Sequence, residues 1–178
     1  GISCPVDIPW LDDLLNGGHH QGRFMAWLAE KGGGKSHALV HVGAAALRHG
    51  LRVLHVSLEM PEWEIRARYD RTLTGKPMSS CLENPQEVMD TVAPYMERLY
   101  IRENAGGALT PHGLEAILDR MEHQPDVLIV DYAQLMLSGG QHVGQSAARE
   151  NANAVAIEMR RIAQRRKLHY HTAYQVNR

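Results

Sequence analysis

The chain has 178 residues, of which 44% are hydrophobic and 22% charged, and its formal net charge is −1. This length and composition indicate one globular domain with a core of its own, and the balanced charge excludes a global cationic field for nucleic acid. No apolar run approaches the roughly 20 residues that span a bilayer, and no secretory signal opens the chain, so we expect a cytoplasmic protein without a membrane segment.

Short apolar runs alternate with longer amphipathic segments, a pattern typical of βαβ units in a parallel sheet covered by helices. In the first half of the chain, the apolar runs predict strands over residues 23–29 and 52–58. Helical spacing of apolar residues, a terminal glycine and a first-turn proline predict helices over residues 35–49 and 61–72. Residues 74–80, "TGKPMSS", are expected to form a loop.

The second half continues this alternation. Asn84 and Pro85 begin a predicted helix that Pro94 would bend or weaken, and residues 98–103 form the next expected strand. Thr110 and Pro111 combine a cap with a first-turn proline and therefore predict another helix start. The remaining predictions are a buried strand over residues 126–132, a mobile Gly- and Gln-rich loop over 138–146, a helix over 147–167 and a last strand over 168–175.

Eleven histidines invite a metal-site hypothesis. His37 and His41 would share a helix face, and His169 and His171 would share a strand face. No Cys or carboxylate completes either pair at a recognisable metal-ligand spacing. We therefore expect packed or surface histidines, with a metal site as the alternative.

A glycine run between the first strand and the first long helix predicts a phosphate-binding loop. Its backbone N–H groups and the helix N-terminus would converge on an anion. In this pattern, Lys35 reaches the β- and γ-phosphates and the Ser36 hydroxyl ligates Mg²⁺. The alternative is a Gly-rich turn that happens to precede Lys-Ser. The candidate nucleotide-binding residues are Glu30, Lys31, Gly32, Gly33, Gly34, Lys35, Ser36 and His37.

The loop departs from the usual G-x-x-x-x-G-K-[ST] pattern because Ala29 replaces the first glycine. That position closes the turn from strand to loop, whereas the phosphate cradle is formed by the residues just before Lys35. Alanine is the smallest side chain that can replace glycine, provided that the backbone keeps a negative φ.

Two carboxylates follow predicted strands and are candidates for the chemistry. Asp131 ends the buried strand of "DVLIVDY" and would hold Mg²⁺ directly or through water, with a strand-terminal cap as the alternative. Glu59 follows the strand after the phosphate-loop helix, and strand C-termini gather around the ligand crevice of such sheets. It would polarise the water that attacks the γ-phosphate, or else be a solvated residue that leads the next helix.

The segments "VLHVSLEMP", "DVLIVDYAQLM" and "YQVNR" resemble, in this order, the motor domain of DnaB-type replicative helicases, which are RecA-like ATPases. The lead-in "DIPWLDDLLNGGHHQGRF" is also similar, with a short helix and a Gly-Gly turn before the first core strand. This resemblance covers most of the chain and implies an α/β, RecA-like P-loop NTPase fold with a mainly parallel sheet and helices on both faces. In that family the phosphate loop often begins with Ala.

The resemblance also implies roles for individual residues. Lys35 and Ser36 match the nucleotide and Mg²⁺ positions, Asp131 the second acidic motif, and Glu59 the catalytic glutamate. Gln175 matches a glutamine near the γ-phosphate that relays the nucleotide state to DNA, with an ordinary strand-end amide as the alternative. The implied cofactors are ATP and Mg²⁺, and the implied partners are single-stranded DNA and further copies of the chain in a ring, expected to be a hexamer.

Two departures limit this resemblance. Tyr174 stands where the family commonly has Ser, and the chain ends at Arg178, before the further strands and the trans-acting arginine of the family. We therefore expect a single RecA-like core over residues 1–178 that is incomplete at its C-terminus. The alternatives are another RecA-like ATPase, of recombinase or clock type, and a nucleotide-binding assembly or loader protein without motor activity. "SLEM" favours the helicase.

The sequence assigns no DNA-contacting residue. The loop over residues 138–146 stands where RecA-like motors place DNA-facing loops, but it carries no Lys or Arg. Positive charge follows at Arg149 and in residues 160–167, "RRIAQRRK". This cluster could contact nucleic-acid phosphates. We favour instead a solvated helix face, partly paired with Glu158, or a contact with a neighbouring subunit.

Overall fold

The structure, a computed structural model, describes residues 2–104, 109–138 and 147–176. The strands in these ranges are β1 (Ser3–Cys4), β2 (His19–His20), β3 (Phe24–Ala29), β4 (Val53–Ser57), β5 (Leu99–Glu103), β6 (Val127–Asp131) and β7 (His169–Gln175). The helices are α1 (Pro9–Leu14), α2 (Lys35–Arg48), α3 (Glu62–Thr74), α4 (Met78–Glu83), α5 (Pro85–Met96), α6 (Pro111–Asp119) and α7 (Ala147–Arg166), and a 3-10 turn covers Ala133–Leu135.

Five of these strands form one parallel sheet in the order β3-β7-β6-β4-β5. The inner strands β4 and β6 are buried along their whole length, which explains why β6 begins with four apolar residues in a row. β4 also carries two buried polar side chains, His55 and Ser57. Because all five strands run in the same direction, their carboxyl ends meet at one edge of the sheet. The glycine loop after β3, Glu59 after β4 and Asp131 at the end of β6 therefore lie at that edge.

Helices cover both faces of the sheet, as the predicted fold class requires. On one face, Leu114 of α6 and Met159 of α7 pack in a cluster with side chains of β4, β6 and β7. On the other face, Leu39 of α2 and Tyr69 of α3 pack in a second cluster with the opposite side chains of the same sheet. The sheet thus separates two apolar layers, the usual arrangement of an α/β domain.

Most predicted elements are confirmed. Each strand of the main sheet differs from its predicted range by no more than one residue at either end. Thr110 caps α6, since its hydroxyl accepts the N–H of Gly113 at 3.0 Å. Pro94 lies inside α5, which nevertheless continues to Met96. Most of the predicted loop over residues 138–146 lies outside the described residues, as do the last two residues of "YQVNR".

The loop predicted over residues 74–80 is wrong in part. α3 continues to Thr74, whose hydroxyl donates to the Asp70 carbonyl at 2.7 Å, and Gly75 then ends the helix with a φ of 68°. After Pro77 a short helix, α4, begins at Met78. Only the few residues between these helices form a loop.

The lead-in folds as a short unit beside the main sheet. β1 and β2 form an antiparallel pair that the sequence did not predict, and α1 lies between them in the chain. The predicted Gly-Gly turn is present: Gly18 has a φ of 115°, and a Cβ there would lie 2.3 Å from the Cys4 carbonyl oxygen. The side chain of Asp12 accepts the N–H groups of Val6 and Ile8 at 2.8 and 3.2 Å and closes this unit.

Three buried histidines join the lead-in to the sheet. The ring of His19 lies 4.3 Å from that of His171 and 5.7 Å from that of His169, measured between centroids. Burial is the main cause that lowers the pKa of all three, that of His19 to about 3. Among residues 2–104, 109–138 and 147–176, no group of three or more metal-binding side chains is arranged to hold an ion, and no helix is long and apolar enough to cross a membrane.

Candidate functional site

The predicted phosphate loop lies between Ala29, the last residue of β3, and Lys35, the first residue of α2. Gly32 and Gly34 have φ values of 77° and 82°, a conformation that favours glycine. A Cβ at either position would meet nothing within 4 Å, so the space beside both residues is open. The loop thus exposes its backbone and the start of α2, which is the arrangement that binds phosphate groups.

Ala29 keeps the backbone conformation that its substitution for glycine requires. Its φ is negative, because the positive φ values of non-glycine residues in the described chain fall at three positions outside the loop. The N–H of Gly33 donates to the Glu30 carbonyl at 3.0 Å and closes the first turn of the loop. The exchange of Gly for Ala therefore leaves the glycines that follow free to form the cradle.

The side chain of Lys35 lies across the loop. Its Nζ donates to the carbonyl oxygens of Ala29 at 3.3 Å and Glu30 at 2.9 Å. These bonds hold the ammonium group beside the glycines instead of in free solvent.

Asp131 ends β6 with a fully buried side chain. Neither carboxylate oxygen accepts a hydrogen bond of ordinary length and angle from the described residues. Burial raises the pKa of this carboxyl above its usual value, and the nearby Ser36 hydroxyl opposes that rise. A buried carboxylate with so little hydrogen bonding is costly unless a cation pairs with it. The carboxylate and the hydroxyl together are oxygen ligands that suit Mg²⁺.

A cavity of about 280 Å³ opens beside the loop and gathers the predicted residues. Its lining consists of Lys31, Gly32, Gly34, Lys35, Ser36, His37, Glu59, Met60, Arg68 and Gln175. Of the predicted nucleotide-binding residues, Glu30 and Gly33 do not line it. Asp131 lies beneath, close enough that the charge of Glu59 raises its pKa and the charge of Lys35 lowers it.

A hydrogen-bonded turn fixes the position of Glu59 beyond the end of β4. The Ser57 hydroxyl donates to the Met60 carbonyl at 2.6 Å and accepts the Met60 N–H at 3.0 Å. Because Glu59 is exposed, its carboxylate faces the cavity and solvent instead of the core.

Sequence reasoning missed Arg68, a residue of α3 that lines the same cavity. Its guanidinium donates to Glu64 at 2.8 Å and to a ring nitrogen of His37 at 3.1 Å. Burial, followed by the charges of Arg68 and Arg71, lowers the pKa of His37. The Glu64–Arg68 spacing of four residues marked an ion pair on one helix face, but only the packing of α3 beside α2 shows which face meets the loop.

A second missed residue is Gln134, in the 3-10 turn after Asp131. Its side-chain amide bonds the backbone of Gln175, which is the last residue of β7 and pairs in register with Ala29 of β3. The letters "DYAQLM" contain this residue, but contacts between segments about forty residues apart depend on the tertiary fold.

The cationic end of α7 has partners inside the domain. Arg165 forms an ion pair with Glu115 of α6, and Arg166 forms ion pairs with Asp119 and, at 3.7 Å, with Glu115. The expected partial pairing of the cluster with Glu158 stays a prediction. The observed ion pairs are those of Arg165 and Arg166 with α6. They favour a helix–helix contact over a nucleic-acid surface at this end of α7.

The solved structures that share this fold include the following two. One is described as a DnaB-like replicative helicase and its interactions with primase, with a TM-score of 0.81, 14% identity, and coverage of 99% of this chain and 44% of that one. The other is described as an ATPase domain, with a TM-score of 0.81, 13% identity, and coverage of 99% of this chain and 65% of that one. The expected RecA-like ATPase fold is thereby confirmed, and the chain spans less than two thirds of either neighbour.

Comparison by sequence gives the family. A search of curated proteins finds no match. The sequence model of the AAA domain, however, matches residues 5–176. Because this match covers nearly the whole chain, including the phosphate loop and both acidic segments, the protein belongs to the AAA domain family.

Proposed function

We propose that this chain is the ATP-hydrolysing motor core of a DnaB-like DNA helicase, which acts on single-stranded DNA as a homo-oligomeric ring, expected to be a hexamer. The observation that carries the proposal is the single cavity in which Lys35, Ser36, Glu59 and Gln175 meet above Asp131. The likeness of the fold to helicase ATPase domains over 99% of the chain supports it.

The loop residues bind the nucleotide in this proposal. The open backbone of Gly32 and Gly34 receives the phosphates, and the helix start adds its positive dipole end. Lys35 then exchanges its bonds to the Ala29 and Glu30 carbonyls for phosphate oxygens. Ser36 and Asp131 hold Mg²⁺, which supplies positive charge at the β- and γ-phosphates when it is bound.

Glu59 is the proposed catalytic base or water-positioning group. It is exposed to the cavity and held by the Ser57–Met60 turn, so its carboxylate can orient a water molecule for in-line attack on the γ-phosphate. Gln175 lies at the end of β7, the strand beside β3, and its side chain senses whether the γ-phosphate is present.

The experiment compares Glu59→Gln with the parent in the full-length protein that contains this chain. Substitution should lower ATPase activity at least a hundredfold and abolish unwinding while ATP still binds, because the amide keeps the shape but cannot act as a base. Glu83→Gln, an exposed change at the end of α4, is the matched control and should have parental activity.

The rival functions give different outcomes in the same assays. ATP hydrolysis that single-stranded DNA does not stimulate, with no unwinding by the parent, would indicate another RecA-like ATPase. ATP binding without hydrolysis by the parent would indicate a nucleotide-binding assembly or loader protein. If ATP hydrolysis is unchanged in both Lys35→Ala and Glu59→Gln, this site does not catalyse the reaction.

A further inference from the structure

Gln134 makes a two-point contact with the backbone of Gln175. The N–H of Gln175 donates to Gln134 Oε1 at 2.6 Å, and Gln134 Nε2 donates to the Gln175 carbonyl at 3.3 Å. A side-chain amide carries the same donor and acceptor as a peptide group. Gln134 therefore bonds Gln175 as a neighbouring strand residue would.

This contact lies where the regular pairing of β6 and β7 has ended. The last residue pair of that ladder is Val130 with Thr172. There the Thr172 hydroxyl donates to the Val130 carbonyl at 2.7 Å and accepts the N–H of Ala133 at 3.0 Å. Side chains thus continue the connection between the two segments after the backbone ladder stops.

The other side of the β7 end is held by the strand that leads into the phosphate loop. Gln175 pairs in register with Ala29, and the N–H of Val176 donates to the Ala29 carbonyl at 3.2 Å. The end of β7 is consequently fixed between the phosphate loop on one side and the turn after Asp131 on the other. Gln134 supplies the second of these two attachments to Gln175.

We propose that Gln134 is a positioning residue for Gln175: its amide holds the Gln175 backbone so that the Gln175 side chain faces the nucleotide cavity. This inference rests on the proposed function, in which Gln175 senses the γ-phosphate. Because the two glutamines are bonded, the 3-10 turn that carries Gln134 moves together with the end of β7. The turn after Asp131 is then the first segment outside the cavity to register the nucleotide state.

The test measures how strongly each variant prefers a triphosphate to a diphosphate. The dissociation constants of AMP-PNP and ADP are determined by calorimetry with Mg²⁺, and their ratio reports contacts to the γ-phosphate. The variants are Gln134→Met, which keeps the side-chain shape but makes neither hydrogen bond, Gln175→Ala, and the double variant. Melting temperatures show that each variant is folded at the temperature of the assay.

Gln124→Met is the matched control. Gln124 is also a glutamine whose amide bonds backbone carbonyls, those of Leu118 at 2.7 Å and Met121 at 3.2 Å, but it lies beyond the end of α6 and does not line the cavity. If Gln134→Met lowered the preference for the triphosphate only by destabilising the protein, Gln124→Met should lower that preference as much. Its preference for the triphosphate should equal that of the parent.

We expect Gln134→Met and Gln175→Ala each to lower the preference for AMP-PNP about fivefold, the usual effect of a hydrogen bond worth about 1 kcal/mol. The double variant should match Gln175→Ala, because Gln134 acts only through Gln175. A parental preference in Gln134→Met, or additive losses in the double variant, would overturn the inference.

Failure of this inference can be told apart from failure of the proposed function. If Gln175→Ala keeps the parental preference, neither glutamine senses the γ-phosphate and the inference is overturned, although the ATPase assignment stands. If Lys35→Ala hydrolyses ATP as the parent does, the proposed function fails, whatever the glutamine variants show.

Discussion

The methyl group of Ala29 occupies the space into which a side chain at residue 33 would point. A Cβ built on Gly33 lies 2.8 Å from the Cβ of Ala29 and 3.0 Å from the Glu30 carbonyl oxygen. Gly33→Ala should therefore displace the loop and destabilise the protein by about 1–3 kcal/mol, with weaker nucleotide binding. Urea unfolding and calorimetric titration with AMP-PNP measure these two effects.

A compensating change tests whether Ala29 is the cause. Ala29→Gly removes the methyl group but not the contact with the Glu30 carbonyl, so the double variant should recover part of the stability and affinity that Gly33→Ala alone loses. Gly113→Ala is the control, since its Cβ would meet no atom nearer than 3.4 Å. If the double variant is as damaged as Gly33→Ala, the contact with Ala29 does not limit residue 33.

Asp131→Asn should make the protein more stable without ligand and unable to use Mg²⁺. Folding raises the pKa of this carboxyl above 3.8, so the folded state binds the proton more tightly than the unfolded chain does. The charged form consequently destabilises the fold as the pH rises above that value, and the penalty persists at pH 7. We expect the melting temperature to rise by a few degrees, because 1 kcal/mol corresponds to about 2–4 °C in a chain of this size.

The Mg²⁺ dependence of melting provides the second measurement. The parent should be stabilised by AMP-PNP with Mg²⁺ much more than by AMP-PNP with EDTA, whereas Asp131→Asn should show no such difference. Asp13→Asn, an exposed change in α1, should behave as the parent. A full Mg²⁺ effect in Asp131→Asn would exclude this residue from the metal site.

The sequence predicted those features that depend on residues close together in the chain. The apolar run of β6 and the mainly apolar residues of β4 are typical of strands with both faces buried, and the loop from Gly32 to Ser36 is defined by its own letters. Because parallel strands end at one edge, the proximity of Glu59 and Asp131 to the loop followed from the fold class. That they share one environment is visible in the effect of Glu59 on the Asp131 pKa.

The features that were missed depend on tertiary contacts. β1 and β2 contain two residues each, too few for a period-2 pattern, and their position is set partly by the packing of His19 on β7. α4 has only six residues, a stretch too short for helical spacing to be recognised beside the Gly and Pro residues that precede it. Arg68 contacts His37 of α2, and Gln134 contacts Gln175 of β7, so both contacts depend on packing between elements and no local pattern could identify them.

The buried histidines should make the protein sensitive to acid. Folding lowers the pKa of His171 well below 6.5, mainly through burial, with further lowering by His19 and His169. The stability that the neutral His171 contributes to the fold is fully present above the unfolded pKa of 6.5. This stability is lost as the pH falls below that value, because the unfolded chain then binds a proton that the folded protein does not. Each such histidine should reduce the free energy of unfolding by about 1.4 kcal/mol per pH unit there.

Urea unfolding of His171→Leu at pH 7, 6 and 5 tests this expectation. Both ring nitrogens of His171 lack hydrogen-bond partners among the described residues, so the apolar replacement should be tolerated at pH 7 and should lose less stability than the parent between pH 6 and 5. His123→Leu, at an exposed position, should keep the parental slope. An unchanged slope in His171→Leu would mean that other groups cause the acid sensitivity.

Gly43 of α2 allows the close approach of α3, because a Cβ at this position would lie 2.0 Å from the Tyr69 hydroxyl oxygen and 3.0 Å from Ile129 Cδ1. The hydroxyl cannot simply turn away, since it is fully buried and bonds His55 Nδ1 at 3.0 Å. Gly43→Ala should therefore lower the free energy of unfolding, measured in urea, by about 3 kcal/mol or more, with α2 and its phosphate loop displaced.

Tyr69→Phe, combined with Gly43→Ala, removes the nearest clashing atom and should recover part of this loss. Tyr95→Phe changes a half-buried tyrosine packed against the same core and should recover none. Equal stability of Gly43→Ala and the parent would show that α2 and α3 can separate at little cost.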